Sequence, residues 1–438
     1  MSILSNKQII LGVTGSIAAY KAADLASKLA QAGAQVDVVL TSAAEKFITP
    51  LTFKSVTGRG AYTDSDLWGN EAHILHVGLG HTADLIVIAP CTANTIAKFA
   101  HGQADTLLTV TVLASQCPLM IAPAMDGGMF DHPATQENVE TLKKRGAFII
   151  EPLEGHLASG LVGKGRLPET SELIGHIRLI LGRNGPLAGK KIVITAGGTQ
   201  EPLDPVRVLT NRSSGKQGYA LAQAALDFGA HVKLITTPTS LIPPIGANVI
   251  KVETAKQMLD AVLRESEDSD VLIMAAAVAD FRPKTTARNK IKKETGIPQI
   301  ELEATEDILK TVSSSTLRAG AGKGDALSRV EASERMARSR SNATDGIIQV
   351  EREAKRPRVV VGFAAESQDL LQNAANKLES KGLDLIAAND ISATDAGFAV
   401  ETNRVTLLFA DGRRETLPLM SKAKTAELIL EQVAILLE

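Results

Sequence analysis

Two loops rich in glycine, serine and threonine lie close together near the middle of this 438-residue chain. The first, Ala196–Thr199, follows the apolar run Ile192–Thr195, and the second, Asn211–Gly218, leads into an alanine-rich stretch. Gly197 and Gly198 lack the Cβ atoms that would keep a phosphate group away from the backbone amides. Small and hydroxyl-bearing residues at this spacing after a strand predict a site for a phosphorylated ligand.

Two further loops of this kind follow predicted strands in the first half of the chain. Gly12–Ser16 ends the first apolar run, and it does not match the G-x-G-x-x-G fingerprint of dinucleotide sites. Ala89–Lys98 follows a buried strand and places Thr92, Asn94 and Thr95 at a helix N-terminus. Amides and hydroxyls there can hold a phosphate or a flavin edge, although a helix N-cap needs only one hydroxyl. Several polar groups at the carboxyl end of a sheet favour a ligand.

The elements that position these loops alternate along the whole chain. Apolar, β-branched runs are separated by stretches with the helical spacing of alanine and leucine, for example Ile17–Ala32 with Gly33 as its C-cap. After the first strand, the predicted strands are Val36–Thr41, Asp84–Pro90, Pro118–Pro123, Ile192–Thr195, Val232–Thr236, Val271–Ala275, Val359–Phe363 and Leu383–Ala388. Continuous apolar strands alternating with helices predict α/β folds with open, doubly wound parallel sheets. A helix near Lys424–Leu437 ends the pattern.

The alternation is interrupted once, by the turn-forming stretch Leu181–Gly189, which reads as a linker. We therefore expect two Rossmann-like domains, residues 1–186 and 187–438. Within the second, residues 318–357 are rich in Gly, Ser, Arg and Glu and contain few large apolar residues. They predict a mobile insertion, more readily a solvated flap than a functional lid.

Composition excludes several classes of protein. Hydrophobic residues make up 44% and charged residues 22% of the chain, as in soluble globular proteins. A formal net charge of −2 argues against a nucleic acid or an anionic membrane as the main partner. Cys91 and Cys117 are the two cysteines, too few for a disulfide framework, and they fit a reducing cytoplasm. No apolar run approaches the ~18–20 residues of a membrane span, and the N-terminus lacks the layout of a signal peptide.

Residues 8–175 resemble the homo-oligomeric flavin-containing cysteine decarboxylases, which implies a flavodoxin-like fold for the first domain. The motifs that carry this resemblance are Gly15–Ile17, Thr41-Ser42, His73, Pro90–Lys98, Pro123–Asp126 and Leu157–Arg166. The resemblance implies FMN as the cofactor. The residues it places around FMN are Gly15, Ser16, Ile17, Thr41, Ser42, Pro90, Thr92, Ala93, Asn94 and Thr95.

Decarboxylation of an acylated cysteine needs an electron sink, which FMN provides by oxidising the thiol-bearing carbon and later returning a hydride. By resemblance, His73 acts as acid or base or positions the carboxylate. His73 and His76 also have the i, i+3 spacing of metal ligands, but no partner motif lies nearby, so no metal site is predicted. Asp126 stands where the family has asparagine, and Ser159 stands where it has a proton-donating cysteine. A hydroxyl is a much poorer acid than a thiol, so either His156 or water completes the reduction or the activity is weakened. We favour an active decarboxylase.

Residues 190–437 resemble phosphopantothenate–cysteine ligase, and the two halves in this order resemble the bifunctional proteins of coenzyme A biosynthesis. The ligase motifs are Ile194–Arg207, Asn211–Lys216, Ala275–Phe281, Lys290–Lys293, Val361–Glu366 and Ala387–Asp390. The resemblance implies that CTP activates 4′-phosphopantothenate as an acyl-cytidylate, which L-cysteine then attacks, with Mg²⁺ required. The residues it places around CTP are Gly197, Gly198, Ala276, Asp280, Lys290, Glu306, Asp307, Ile308, Leu309, Phe363, Lys377 and Lys381.

Three ligase residues receive catalytic roles from the resemblance. Lys290 would neutralise phosphoryl charge, Asn211 would hold the acyl-cytidylate carbonyl, and Arg207 would help to place the substrate. The residues alone favour plainer interpretations, in which Lys290–Lys293 is a solvated basic patch and Asn211 is a turn residue or helix cap. Glu306 replaces the usual proline of its loop, a minor change.

The resemblance also implies a homo-oligomer, with trimers through the first domain and dimers through the second closing into a dodecamer. Two alternatives stay open: a working ligase with a non-catalytic flavin domain, and a regulatory flavoprotein subunit. The second fits poorly, because the terminal LILEQVAILLE is amphipathic and not strongly acidic. A nicotinamide-dependent reductase would need the missing fingerprint.

Overall fold

The computed structural model forms two compact units, Met1–Asn184 and Gly185–Glu438. The described residues are 3–68, 72–292, 298–313, 356–366, 369–390 and 400–438. The insertion predicted at 318–357 therefore lies outside the described residues up to residue 355. In the described part of the chain, no helix is long and apolar enough to cross a bilayer.

The first unit is built on a six-stranded parallel sheet. Its strands are β1 (Gln8–Val13), β2 (Gln35–Leu40), β3 (Ala61–Tyr62), β4 (Leu85–Cys91), β5 (Leu119–Pro123) and β6 (Phe148–Ile149). They lie in the order β3-β2-β1-β4-β5-β6, with every pair parallel. This is the doubly wound order, and without the two-residue edge strand β3 it is the flavodoxin-like order. The predicted fold of the first domain is confirmed.

Helices cover both faces of this sheet. They are α1 (Ala19–Gln31), α2 (Pro50–Thr57), α3 (Ala72–Thr82), α4 (Ala93–Ala100), α5 (Leu107–Ala114), α6 (Gly127–Phe130), α7 (Pro133–Lys144) and α8 (Thr170–Gly182). Neighbouring residues of β1 point to opposite faces, so Leu11 packs in one apolar cluster with Leu25 of α1. Ile10 packs in the other with Ile96 of α4. A hairpin of β7 (Leu153–His156) and β8 (Val162–Arg166) projects beside the sheet.

The second unit is built on an eight-stranded sheet. Its strands are β9 (Lys191–Ala196), β12 (His231–Thr236), β13 (Asn248–Lys251), β14 (Val271–Met274), β17 (Val359–Glu366), β18 (Leu385–Asp390), β20 (Val405–Phe409) and β21 (Arg414–Thr416). The order is β13-β12-β9-β14-β17-β18-β20-β21. Its six parallel strands, taken in chain order, repeat the order of the first sheet. Both domains are therefore Rossmann-like, as predicted.

Smaller strands and further helices complete the part of the second unit that the structure describes. The short strands are β10 (Gln200–Pro202), β11 (Val208–Thr210), β15 (Phe281–Pro283), β16 (Leu302–Ala304), β19 (Thr402–Asn403) and β22 (Met420–Ser421). The helices are α9 (Lys216–Asp227), α10 (Ala255–Ser266), α11 (Leu370–Ser380) and α12 (Lys422–Leu437), and residues 308–313 are also helical.

The antiparallel edge of this sheet was not predicted. β20 pairs antiparallel with β18 and with β21. A signal for it exists in the sequence, because Asp411-Gly412 is a favoured hairpin turn and Gly412 has φ +88°. The predicted linker is also only partly a linker. Helix α8 continues to Gly182, and the Leu187 N–H donates to Phe228 O at 2.8 Å, which fixes the second half of the linker to the second unit.

The contact between α9 and β9 leaves no room for a side chain at Gly218. A Cβ there would lie 2.5 Å from Ala196 Cβ and 2.9 Å from Thr195 O. We expect Gly218→Ala to destabilise the protein by about 1–3 kcal/mol, because overpacking forces α9 away from the strand. The measurement is chemical or thermal unfolding. Gly78→Ala is the matched control, since Gly78 is also helical and a Cβ there meets nothing within 4 Å. Equal effects of both variants would contradict the direct packing.

Candidate functional site

A cavity of about 520 Å³ opens at the carboxyl end of the second sheet. Its walls come from the residues that follow β14, from Phe363 on β17, from Asn389 on β18, and from the loop that leads into α9. Strands β9 and β14 are neighbours here, and the strand order reverses between them. Ligands of open α/β sheets bind at this switch point, so the fold places the cavity where a ligand is expected.

The cavity brings together most of the residues predicted to surround the nucleotide. Those that line it are Asn211, Ala276, Asp280, Glu306, Asp307, Ile308, Leu309, Phe363, Lys377 and Lys381. Gly197, Gly198, Arg207 and Lys290 are not among its lining residues. The first set comes from five separate segments of the second unit.

The two glycines of the first loop extend the pairing of β9 with β14. The Ala277 N–H donates to Gly197 O at 2.8 Å, and Gly198 forms a parallel bridge with Ala277. Gly197 has φ +88°, and a Cβ on it would lie 2.0 Å from Thr237 Oγ1. A Cβ on Gly198 would lie 2.9 Å from Asn211 O. The space left by the missing side chains is thus filled by Thr237 and by the second loop, which sets the position of Asn211.

Asn211 ties the second loop to the segment after β14. Its Nδ2 donates to Val278 O at 3.1 Å and to Ala277 O at 3.4 Å. It is not the cap of α9, because Gly215 occupies that position with φ +75°. Asn211 therefore presents its amide to the cavity from a fixed loop.

Cationic side chains in α11 and directly after it form another wall. Lys377 Nζ donates to Phe363 O at 2.9 Å, and Lys381 pairs with Asp307 at 3.0 Å. Partial burial raises the pKa of the Asp307 carboxyl, but the Lys310 N–H and Lys381 lower it more. The net pKa is below the usual value, so Asp307 is ionised at neutral pH and holds Lys381 beside the cavity.

Arg207 and the segment that carries Lys290 are joined by Asp204, whose role was not predicted. Asp204 accepts from the Val206 and Arg207 N–H groups, both at 2.8 Å, and from the Ile291 N–H at 3.1 Å. Arg207 Nη1 donates to Asp204 at 3.0 Å and to Ile291 O at 3.0 Å. Lys290 itself is exposed. Arg207 therefore anchors the neighbour of Lys290, and its own side chain is held outside the cavity wall.

In the first unit, side-chain hydrogen bonds join the carboxyl ends of β1 and β4. Thr14 Oγ1 donates to Pro90 O at 2.9 Å and accepts from the Thr92 N–H at 3.0 Å. Gly15 lies against the turn after β2, where a Cβ would be 2.4 Å from Ala43 Cβ. The loops after β1, β2 and β4 therefore converge at one edge of the sheet. Their hydroxyls are groups that can hold a phosphate such as that of FMN.

The hydroxyls of these loops also serve as local caps. Thr92 is the N-cap of α4 and accepts from the Thr95 N–H at 3.4 Å. Ser16 Oγ accepts from the Ala18 N–H, and Thr41 Oγ1 accepts from the Ala44 N–H, each at 3.3 Å. A capping hydroxyl accepts a hydrogen bond and keeps its own O–H as a donor. These hydroxyls can therefore cap a helix and still donate a hydrogen bond to a ligand. Asn94, Ile17 and Ser42 are exposed, and Pro90 and Ala93 are not.

The two residues that depart from the decarboxylase motifs contact each other. Ser159, in the turn between β7 and β8, donates from Oγ to Asp126 Oδ2 at 2.7 Å. The other carboxylate oxygen of Asp126 accepts from the Gly128 N–H at 3.0 Å and caps α6. The sequence shows two separate departures, and the structure joins them in one hydrogen bond.

Histidines lie on α3 and on the hairpin. Because α3 precedes β4 in a parallel sheet, its first turns lie toward the edge where the loops converge. His73 is in the first turn, and its side chain is outside the described residues. His76 Nδ1 is buried and has no hydrogen-bond partner among the residues that the structure describes. The sequence singled out His76 only for its metal-ligand spacing with His73. A functional histidine would present an unpaired nitrogen of this kind. His156, at the end of β7, is exposed.

Comparison with known proteins covers both units. Residues 2–181 match the family described as Flavoprotein, and residues 187–322 and 332–436 match the DNA/pantothenate metabolism flavoprotein C-terminal domain. The second match continues from residue 332, so the similarity extends into the segment that we had set apart as an insertion.

Two relatives that match over their full length share the same description. The chain is 44% identical over 437 residues to the coenzyme A biosynthesis bifunctional protein CoaBC of Bacillus subtilis, covering 99% of this chain and 98% of that one. It is 42% identical to the protein of the same description from Vibrio vulnificus, covering 100% of both. A solved C-terminal domain of such a protein is 36% identical with TM-score 0.42, covering 58% of this chain and 98% of that one.

The hydrogen bonds of Asp204 predict how the Lys290 segment responds to mutation. Asp204→Asn replaces one acceptor oxygen by a donor, so residues 284–292 should exchange amide hydrogen faster than in the wild type. Hydrogen–deuterium exchange measures this, and Asp268→Asn, in an exposed ion pair with Lys191, is the control.

The same carboxylate predicts a dependence on pH. Burial raises the pKa of Asp204, and its hydrogen bonds lower it further than burial raises it, so the net pKa is depressed. A depressed pKa means that the stabilisation is present above the unfolded value, about 4, and is lost as pH falls through the folded value. Wild-type exchange, corrected for its intrinsic rate, should therefore approach that of Asp204→Asn in acid. An unchanged difference at every pH would contradict this.

Proposed function

This chain belongs to the family of coenzyme A biosynthesis bifunctional proteins, with a flavoprotein decarboxylase domain before a ligase domain, and from that premise we propose the chemistry of each unit. Residues 187–438 ligate 4′-phosphopantothenate to L-cysteine at the expense of CTP. Residues 1–186 then decarboxylate the product with FMN. The observation that supports the proposal is the cavity at the switch point of the second sheet, whose lining includes Asn211 and most of the residues predicted for the nucleotide.

In the first step of ligation, a carboxylate oxygen of 4′-phosphopantothenate bonds to the α-phosphorus of CTP. The bond from that phosphorus to the pyrophosphate oxygen breaks, which yields the acyl-cytidylate and pyrophosphate. Negative charge grows on the phosphoryl oxygens, so cations stabilise the transition state. Lys377 and Lys381 line the cavity, and Lys290 lies on the segment anchored by Asp204 and Arg207. Mg²⁺ bound to the triphosphate would add to this positive charge.

In the second step, the amine nitrogen of cysteine bonds to the acyl carbon. The bond from that carbon to the phosphate oxygen breaks, CMP leaves, and one proton passes to solvent. We assign Asn211 to the acyl carbonyl, because Asn211 lines the cavity and its Nδ2 can exchange the long 3.4 Å bond to Ala277 O for a bond to the ligand. An amide suits this role because it donates without adding charge.

In the first unit, the loops after β1, β2 and β4 would hold FMN through the ten residues named from the family resemblance. When bound, FMN supplies the oxidation of the thiol-bearing carbon and the return of a hydride. His73 positions the departing carboxylate in this proposal. His76 is a second candidate for that role, because its buried Nδ1 lacks a partner in the described part of the chain.

The Ser159–Asp126 hydrogen bond bears on the final protonation. The single hydroxyl proton of Ser159 is donated to Asp126, and the pair holds the β7–β8 hairpin against α6. A hydroxyl engaged in this way is a poor proton source. We therefore assign the donor role to His156, on the same hairpin, or to water, and a positioning role to Ser159 and Asp126.

We further propose a cytoplasmic homo-oligomer, with trimeric contacts through the first unit and dimeric contacts through the second, closing into a dodecamer. Exposed apolar side chains near the start of α1 and α2 support contacts through the first unit, among them Ile17, Tyr20 and Leu51. Both cysteines are free thiols, which suits a reducing compartment.

The ligase proposal predicts a separation of its two half-reactions. Purified protein should release pyrophosphate with CTP, and only with CTP, when 4′-phosphopantothenate is present. Asn211→Asp should keep the fold and form little amide, because a carboxylate repels the acyl oxygen instead of donating to it; a loss of about 10²–10³-fold is expected. Chromatographic detection of the amide product measures this, with the exposed Asn248→Asp as control. Normal ligation by Asn211→Asp would mean that this loop is only a structural turn.

The decarboxylase proposal predicts a yellow protein whose activity depends on a histidine of α3. His73→Asn should lower CO2 release from 4′-phosphopantothenoylcysteine by about 10²–10⁴-fold while the flavin absorbance stays unchanged. His76→Asn is measured in parallel, and a loss in that variant alone would transfer the role to His76. A colourless wild-type protein, or CO2 release unaffected by either change, would refute the proposal.

A further inference from the structure

One end of the ligase cavity has no role in the chemistry above. Its lining includes Lys216 and Gln217 at the start of α9, Lys422 at the start of α12, and Asn403 on β19. Strand β19 pairs with β22 so that Asn403 lies opposite Met420, immediately before α12. Four polar side chains from three separate elements are therefore assembled at this end.

A chain of hydrogen bonds fixes the orientation of Asn403. Gln217 Nε2 donates to the backbone oxygen of Lys422 at 3.4 Å, and Asn403 Nδ2 donates to Gln217 Oε1 at 2.8 Å. A backbone carbonyl can only accept, so neither amide can be reversed without losing its bond. Asn403 is 3% exposed, and its Oδ1 is buried with no partner in the described part of the chain. That oxygen requires a donor from a ligand or from water.

Two lysines give the same end a positive charge. Lys216 forms an ion pair with the exposed Glu401, so a carboxylate already contacts this lysine. Lys422 is 6% exposed, and burial followed by repulsion from Lys216 lowers its pKa. The N-termini of α9 and α12 add the positive ends of two helix dipoles.

A ligand for this end needs an anionic group for the lysines and an N–H or O–H donor for Asn403 Oδ1. A fully ionised phosphate supplies the first but carries no donor hydrogen. A divalent cation would accept the amide oxygen but is repelled by both lysines. An α-amino acid supplies its carboxylate and its amine at once. The lysines also disfavour a charged amine, so more of the bound amine is the neutral nucleophile.

We propose that Lys216, Lys422 and Asn403 form the binding site of L-cysteine for the second step of ligation. The carboxylate lies at the two lysines, in place of Glu401, and the amine donates to Asn403 Oδ1. Asn211, on the loop that leads into α9, lines the same cavity and holds the acyl group that the amine attacks. This assignment rests on the proposed ligase function.

The test separates cysteine binding from nucleotide chemistry. Lys422→Met and Asn403→Ala should each raise the KM for cysteine about tenfold or more. Pyrophosphate release from CTP and 4′-phosphopantothenate, measured without cysteine, should stay within about twofold of the wild type. Lys422→Arg, which keeps the positive charge, should retain part of the affinity for cysteine that Lys422→Met loses. Lys424→Met is the matched control, because Lys424 lies on the same helix, pairs with Glu427 and does not line the cavity.

A second arm uses cysteamine, which lacks the carboxylate. The wild type should prefer cysteine strongly, and Lys422→Met should lose most of that preference. If Lys422→Met fails to fold in a thermal scan, Lys216→Met removes the other charge from a less buried site and should show the same loss.

Two results would overturn the assignment. A raised KM for CTP, or slowed pyrophosphate release with an unchanged KM for cysteine, would mean that this end of the cavity binds the phosphates. A KM for cysteine that is unchanged in all variants would mean that Asn403 Oδ1 accepts a hydrogen bond from water and not from cysteine. If the wild type releases no pyrophosphate with CTP, the proposed ligase function itself fails, and that outcome is read before any variant is made.

Discussion

The second unit depends on backbone pairing that continues past the ends of β9 and β14. The Ala277 N–H bonds to Gly197 O, and the Thr199 N–H bonds back to Ala277 O at 3.2 Å. Thr199 Oγ1 then accepts from the Ala279 N–H at 2.9 Å. These bonds require a turn in which Gly197 has a positive φ. Thr237 occupies the space that a side chain on residue 197 would need. Asn211 and the residues after β14 are positioned on that frame, so the glycines build the cavity without lining it.

The main sheets were predictable because their strands are buried on both faces. Runs such as Val232–Thr236 and Asp84–Pro90 differ from the observed strands by a residue or so at their ends. Strand β21 was not predicted because it lies at the edge of the sheet, where its three residues are exposed and give no apolar signal. Strand β20 is apolar and mostly buried, so the run Val405–Phe409 was a detectable signal that the prediction left out.

The site was predictable to a smaller extent. Motif resemblance placed Asn211 and Phe363 at one cavity, but it did not reveal Asp204, one of whose four hydrogen bonds comes from a segment far along the chain. It also could not join Asp126 to Ser159, because the two departures lie on α6 and on the hairpin. Asn403 Oδ1 was equally hidden, since an unpaired buried atom is a property of the assembled fold.

The wall that carries Lys422 also has a kinetic consequence. Gln217 and Lys422, joined by a hydrogen bond, are 205 residues apart in sequence. Asn211 is tied to residues 66 and 67 positions away, whereas the opposite wall must wait for a much larger loop to close. Refolding of the ligase unit should therefore regain secondary structure before it regains a closed cavity. This topology therefore favours a transient state in which the sheet has formed and the cavity is incomplete.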